Sequence, residues 1–221
     1  MPTRSLSAER LLEGGPQMTD QMTDTTDVPV APDPDFAQQI ADQVESFLLA
    51  LREIARSNDS GRAVSLLLLE ISQILLAGAR LGAQQDFTPR SEYQPDVGPE
   101  ADLDEMRMRL AAMLGDVDTY SLVFDPYVPE VVESQLSDDL TSMASDLENG
   151  LRHYRQGDVS EALWWWQFSY VSSWGNLAGA GLNALLSVVA HDRLDADNTQ
   201  EQEQEQIAVA EAVLDGDEPA V

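Results

Sequence analysis

Apolar residues recur at helical spacing in several windows, separated by stretches with no such rhythm. Phe36, Ile40, Val44, Phe47, Leu51 and Ile54 form one stripe, the period expected of a helix with one buried face. Asp33-Pro34 supplies its start, an N-cap followed by a proline at the first helical position, and the helix runs to about Arg56. Ser57-Asn58-Asp59-Ser60-Gly61 reads as a turn. A second helix spans about Arg62 to Leu81, with Val64, Leu67, Leu68, Ile71, Ile74 and Leu75 inward, and Glu70 interrupts what is otherwise a candidate membrane span. Residues 82–101 carry prolines and no periodicity and read as a loop. Asp102 with Glu105 then resembles a cap and third-position pair opening a third helix, with Leu103, Met106, Leu110 and Met113 on one face and Gly115 at its end. The fourth stripe, Leu136, Leu140, Met143, Leu147, Leu151 and Tyr154, predicts a helix from about Glu130 to Gln156, stopped by Gly157.

The longest apolar window is Ala162 to Ala190, ALWWWQFSYVSSWGNLAGAGLNALLSVVA, which has no charged residue and holds all four tryptophans. Placed on one helical wheel it is apolar on two sides, as a buried helix is. Gly-Asp at 157–158 joins it to the fourth helix as a helical hairpin, with Asp158 and Glu161 as its cap pair. Between the apolar sides runs a stripe of Ser169, Ser172, Asn176, Asn183 and Ser187 headed by Trp165. Uncharged polar residues on a helix of so charged a chain point either to a buried hydrogen-bonded network or to a surface that something else covers.

Residues 116–129, DVDTYSLVFDPYVP, fit no helix. Tyr120, Leu122 and Phe124 alternate as in a strand, but a lone strand has no partner. The expectation is an ordered aromatic loop packed on the helices, with Tyr120, Phe124 and Tyr127 as a candidate site wall. The fold expected is therefore all-α: a single bundle of about five helices around the Trp-rich helix. Its domain covers 33–195, after a disordered segment over 1–32 and before an acidic low-complexity tail over 196–221, in which Ile207 to Leu214 forms at most a short helix.

Charge narrows the function. The chain has 40 acidic residues against 12 arginines and no lysine, a net charge of −28. Such a field repels nucleic acid and anionic lipid and favours a basic protein surface as partner. Cysteine is absent, which removes disulfides, thiol catalysis and thiolate metal sites. The histidines, His153 and His191, lie near helix ends, where a cation complements the helix dipole, and neither follows a glutamate at the spacing of a di-iron helix. No phosphate loop, dinucleotide fingerprint or nucleophile elbow is present. No cofactor, metal site or catalytic residue is therefore assigned. Carboxylate groups such as Asp102, Asp104 and Glu105, or Asp138 and Asp139, keep open an alternative, a small helical enzyme with a carboxylate-bound Mg²⁺ or Mn²⁺. With no apolar leader at the N-terminus, the expected location is the cytoplasm, with no membrane contact.

The run Trp164-Trp165-Trp166-Gln167-Phe168-Ser169-Tyr170, with Trp174-Gly175, Ala178 to Leu186 and Phe124-Asp125-Pro126, resembles a bacterial family of small acidic proteins designated domain of unknown function 5063. The resemblance covers about residues 35–195. It implies an all-helical fold and an association with DNA-recombination or repair proteins, and no reaction. Relatives hold a histidine where this chain has Ser173. The reading that follows is a non-enzymatic interaction module whose contact surface comprises Trp165, Ser169, Ser172, Asn176, Asn183, Tyr120, Phe124 and Tyr127.

Overall fold

The computed structural model describes residues 33–57, 59–90 and 97–214, with side chains to Leu194 and at Ile207. The expectation for residues 1–32 lies outside the described residues. The order of elements is α1 (Pro34–Arg56), α2 (Ser60–Gly82), α3 (Asp104–Leu114), β1 (Thr119–Asp125), β2 (Val128–Gln135), α4 (Leu136–Arg155), α5 (Val159–Ser169), a π-helical turn (Tyr170–Trp174) and α6 (Gly175–Leu214). The fold is thus mostly helical, and the expectation of a purely helical one is corrected by the β1–β2 hairpin.

The helices form where the stripes require. Ile40, Val44, Phe47 and Leu51 of α1, Leu67, Ile71 and Ile74 of α2, and Leu136, Leu140, Met143 and Leu147 of α4 are all buried in one core. Asp33 caps α1, its carboxylate accepting from the Asp35 amide at 3.0 Å, with Pro34 in the first turn. Asp59 does the same for α2 from the Arg62 amide. Gly157, with φ of +86°, closes α4 in the left-handed conformation that suits glycine. There the Gly157 amide donates to Tyr154 and the Asp158 amide to His153, satisfying the last carbonyls of the helix.

The hairpin replaces what reads as an aromatic loop and the first turn of α4. The partner that β1 lacked is β2, VPEVVESQ, and the two pair antiparallel from Thr119 with Gln135 to Val123 with Val131. A bulge between Val123 and Asp125 precedes the two-residue turn, which the Asp125 carboxylate ties by accepting from the Tyr127 amide at 2.8 Å. Pro129, which cannot donate to a ladder, is tolerated because β2 is an edge strand. Helix α4 consequently begins at Leu136, not Glu130.

Two buried carboxylates lock the hairpin to α4. The Asp118 backbone carbonyl accepts from the Leu136 amide, and its carboxylate accepts from both the amide and the hydroxyl of Ser137 at 2.8 and 2.9 Å. Asp118 therefore caps the helix from across the hairpin base, where Gln135 gives no side-chain cap. One turn on, Asp139 accepts from the Tyr120 hydroxyl at 2.6 Å and from Ser134 at 3.0 Å. Burial pushes the Asp139 carboxyl up from its ordinary range, against the pull of those two donors.

The Trp-rich window is helical throughout but is not one regular α-helix. The π turn divides it, inserting a residue into the winding. Its packing depends on two glycines of neighbouring helices. A Cβ at Gly78 of α2 would lie 2.5 Å from the Trp174 ring and closer still to Tyr170, and a Cβ at Gly150 of α4 would fall inside Trp166. Bare backbone at these points lets Trp166 and Trp174 be fully buried. The Trp166 indole then donates to the Leu147 carbonyl at 3.0 Å. The helix does not stop with the apolar window at Ala190: α6 continues to Leu214 through residues 200–206, where Glu and Gln, both good helix formers, alternate.

Among the described residues α2 is the one helix long and apolar enough to cross a membrane by length and composition, and 33% of that window is buried inside the protein.

Candidate functional site

A groove of about 800 Å³ runs between β1 and α6. One wall is β1 from Thr119 to Phe124. The other is the side of α6 that carries Gly175, Asn176, Gly179, Ala180, Asn183, Ala184, Ser187 and Val188. The small residues of the helix leave the space in front of the strand unfilled, and a Cβ added at Gly179 would meet nothing within 4 Å. In a chain of net charge −28, the one charged residue among the described lining residues is Asp116, at one end.

The groove contains Tyr120, Phe124, Asn176 and Asn183 of the residues predicted from sequence. Phe124 is exposed, and Tyr120 is half-buried with its hydroxyl turned to Asp139. Burial and the adjacent Asp139 carboxylate push the Tyr120 phenol well above its ordinary range, so it stays protonated as a donor. Asn176 and Asn183 are exposed, and neither side-chain amide has a hydrogen-bond partner among the described residues.

The remaining four predicted residues lie elsewhere. Trp165 packs partly buried against the core, its indole donating to the Asp146 carbonyl at 2.8 Å. Ser169 is buried and donates to the Trp165 carbonyl at 2.6 Å. Ser172 is exposed and donates to the Phe168 carbonyl at 2.7 Å. Tyr127 stands at the hairpin turn, 93% exposed. For the residues of the Trp-rich window the cause is the π turn. An inserted residue rotates everything after it by about 100°, so a stripe drawn on one regular wheel does not continue from Ser169 to Asn176. The exposed face leading into the turn instead carries Phe168, on which Trp164 stacks at 5.1 Å, and Val171 within the turn itself.

Residues that pattern reading does not single out hold this region in place. Glu161 is buried, and instead of capping α5 it accepts from the Arg90 amide at 2.7 Å. Gln167 is buried in the Trp run, accepting from the Phe87 amide at 2.9 Å and donating to the Leu81 carbonyl at 3.0 Å. Together they pin the segment after α2 to α5. The available signal is an amide within a run of aromatics, since a polar side chain there must find partners. His153 is also buried; loss of solvation lowers its pKa, outweighing the pull of Asp158 and Glu161, so its imidazole is held neutral rather than complementing the helix end as a cation. At the π turn, burial raises the pKa of the Asp146 carboxyl against the opposing pull of the Ser173 side chain.

Four of the carboxylates named as possible metal donors, Asp102, Glu105, Asp138 and Asp139, have partners within the protein. Asp102 accepts from the Asp104 amide at 3.2 Å rather than forming a reciprocal cap with Glu105, and Glu105 pairs with Arg109 at 2.6 Å. Asp138 faces Arg107 at 3.4 Å, and Asp139 is bound to Tyr120 and Ser134.

The arrangement defines a mostly helical protein in which a strand and a small-residue helix face frame a groove with a single charged residue, Asp116, at one end. Residues 33–191 match the sequence profile of the domain of unknown function DUF5063. The chain belongs to that family. A crystal structure of protein BF1032 from Bacteroides fragilis is similar in fold, with a TM-score of 0.56 at 17% identity over 70% of this chain and 92% of that one. No functionally curated protein matches the chain.

Proposed function

We propose that this protein is a non-enzymatic interaction module whose partner docks in the groove between β1 and α6. The observation that carries this reading is the contrast between the groove and the rest of the chain. An acidic surface keeps the body soluble and repels phosphate polymers, whereas this concavity is lined, apart from Asp116 at one end, by hydroxyls, apolar residues and the two unpaired amides of Asn176 and Asn183. A concave site with a few convergent polar groups is how proteins hold ligands. The surrounding carboxylates favour a basic protein surface and speed its encounter. The cytoplasm is the compartment that fits this reading, and DNA-recombination or repair proteins, which carry basic surfaces, are one class of partner that fits it.

The test is photo-crosslinking in the native cells. A photoreactive residue at Asn183 is expected to trap a discrete protein adduct, and the same residue at Glu53, exposed on α1, is expected to trap none. Equal adducts from both positions, or none from position 183, would reject the groove as the contact.

A further inference from the structure

Six consecutive residues of β1, Thr119 to Phe124, line the groove. Successive side chains of a strand point to opposite faces, so a strand contributes an unbroken run when its edge is turned toward the space. The ladder to β2 occupies the other edge of β1. Alternate main-chain N–H and C=O groups of β1 are thus directed away from β2, toward α6. A two-stranded sheet is marginal alone, and a free edge is a template for a further strand.

We infer that the groove binds an extended segment of another protein, which adds as a third strand to the free edge of β1 while Asn176 and Asn183 satisfy its opposite edge. The dimensions agree. Six strand residues span roughly 20 Å at about 3.3 Å each, and the helix from Gly175 to Val188 rises roughly 20 Å at about 1.5 Å per residue. The two walls are matched in length and admit about six residues of extended chain. Asn176 and Asn183 lie two turns apart, roughly 10 Å along α6, and each carries a donor and an acceptor with no internal partner. Small residues at Gly179 and Ala180 leave room for backbone rather than a bulky side chain. Charge sets the composition of the segment: small or β-branched uncharged residues between the walls, and Lys or Arg outside them, where Asp116 and a net charge of −28 meet them.

This inference rests on the groove being the contact surface, and its test separates the two claims. The full chain is used to select from a displayed library of random heptapeptides, and an enriched peptide is synthesised in three forms, one unmodified and two N-methylated at alternate amides, one in each register. Expected are enriched sequences with uncharged centres and basic flanks. Their binding should be weakened by roughly tenfold or more both by N-methylation in the register that faces β1 and by Gly179→Phe. That variant fills open space, so its melting curve is expected to stay cooperative. Binding unaffected by N-methylation in either register overturns strand addition while leaving the groove as the contact. Binding unaffected by Gly179→Phe overturns both claims. A library that yields no enriched sequence overturns the peptide as occupant, and the crosslink at position 183 then decides the broader reading on its own.

Discussion

Replacing Gly150 by alanine measures how much of the stability depends on one close approach. The Cβ would stand 2.7 Å from Cε2 of Trp166 and nearer still to its Nε1 and Cδ1. Trp166 has no room to give, because it is fully buried, leans on Tyr154 at 6.1 Å and donates to Leu147 at 3.0 Å. Three effects compete. Alanine gains about 1 kcal/mol of helix propensity over glycine. Overpacking costs about 1–3 kcal/mol, and pulling a buried indole N–H from its acceptor costs about 1–3 kcal/mol more. The net is a loss of about 1–5 kcal/mol, and its midpoint in a domain of this size lowers Tm by roughly 10 °C. Gly179→Ala is the internal control: the same substitution in the interior of α6, where the Cβ meets nothing within 4 Å, should raise stability by about 0.5–1 kcal/mol. Urea unfolding of both variants, followed by tryptophan fluorescence, gives the two values. Stabilisation by Gly150→Ala, or an equal loss at both positions, would refute the claim that Trp166 seats on bare α4 backbone.

Tyr120→Phe should cost about 1–3 kcal/mol by leaving the buried Asp139 with Ser134 as its remaining side-chain donor; an unchanged urea midpoint would contradict the lock between hairpin and helix. Gln167→Leu removes the acceptor of the Phe87 amide and the donor to Leu81, so exchange of the Phe87 amide should quicken while amides in mid-α1 keep their protection. Equal loss in both would mean that Gln167 supports the whole core. For His153, burial lowers the folded pKa, so the unfolded chain takes up a proton near pH 6.5 before the folded one does. Its contribution is present above about pH 6.5 and lost as pH falls toward the folded value. Asp139 and Asp146, raised by burial, act in the opposite sense, their contribution fading as pH rises through their folded values. The urea midpoint of the wild type should therefore fall more steeply between pH 6.5 and 5 than that of His153→Gln, and parallel profiles would show that His153 does not report this burial.

Helices α1, α2 and α4 are legible in the sequence because each buries a single face, so core geometry imprints a 3.6-residue period on residue type. The hairpin is not, for the converse reason. Val128, Val131 and Val132 of β2 are exposed, and Glu130 and Glu133 stand among them, so no inward face marks the strand. What holds it is register with β1 and the carboxylates of Asp118 and Asp139, pairings between residues 19 apart that no local window contains. The site is legible to the same degree. Asn176 and Asn183 stand out because uncharged amides are unusual on the surface of so acidic a chain, and Tyr120 and Phe124 because aromatics in a loop need a packing surface. Gly179 and the edge of β1 carry no side-chain signature, and a groove is defined as much by what is missing from its walls as by what lines them.

The π turn connects these observations. Trp166 must face α4, and Trp174 must face α2, because Gly150 and Gly78 are the places where those helices admit an indole. On a regular helix, residues eight apart fall about 80° from one another, which is too little or too much rotation for two anchors set by independent neighbours. The wider winding from Tyr170 to Trp174 absorbs the difference, and Gly175, where a Cβ would lie 2.8 Å from the Tyr170 ring, makes room for it. Once both indoles are seated, the direction of every later residue follows. Ala178 and Leu185 turn into the core, and Asn176, Gly179 and Asn183 are left facing outward. The phase that seats the tryptophans is therefore the phase that aims the small, uncharged side of α6 at β1, and the groove is a consequence of how the core is packed.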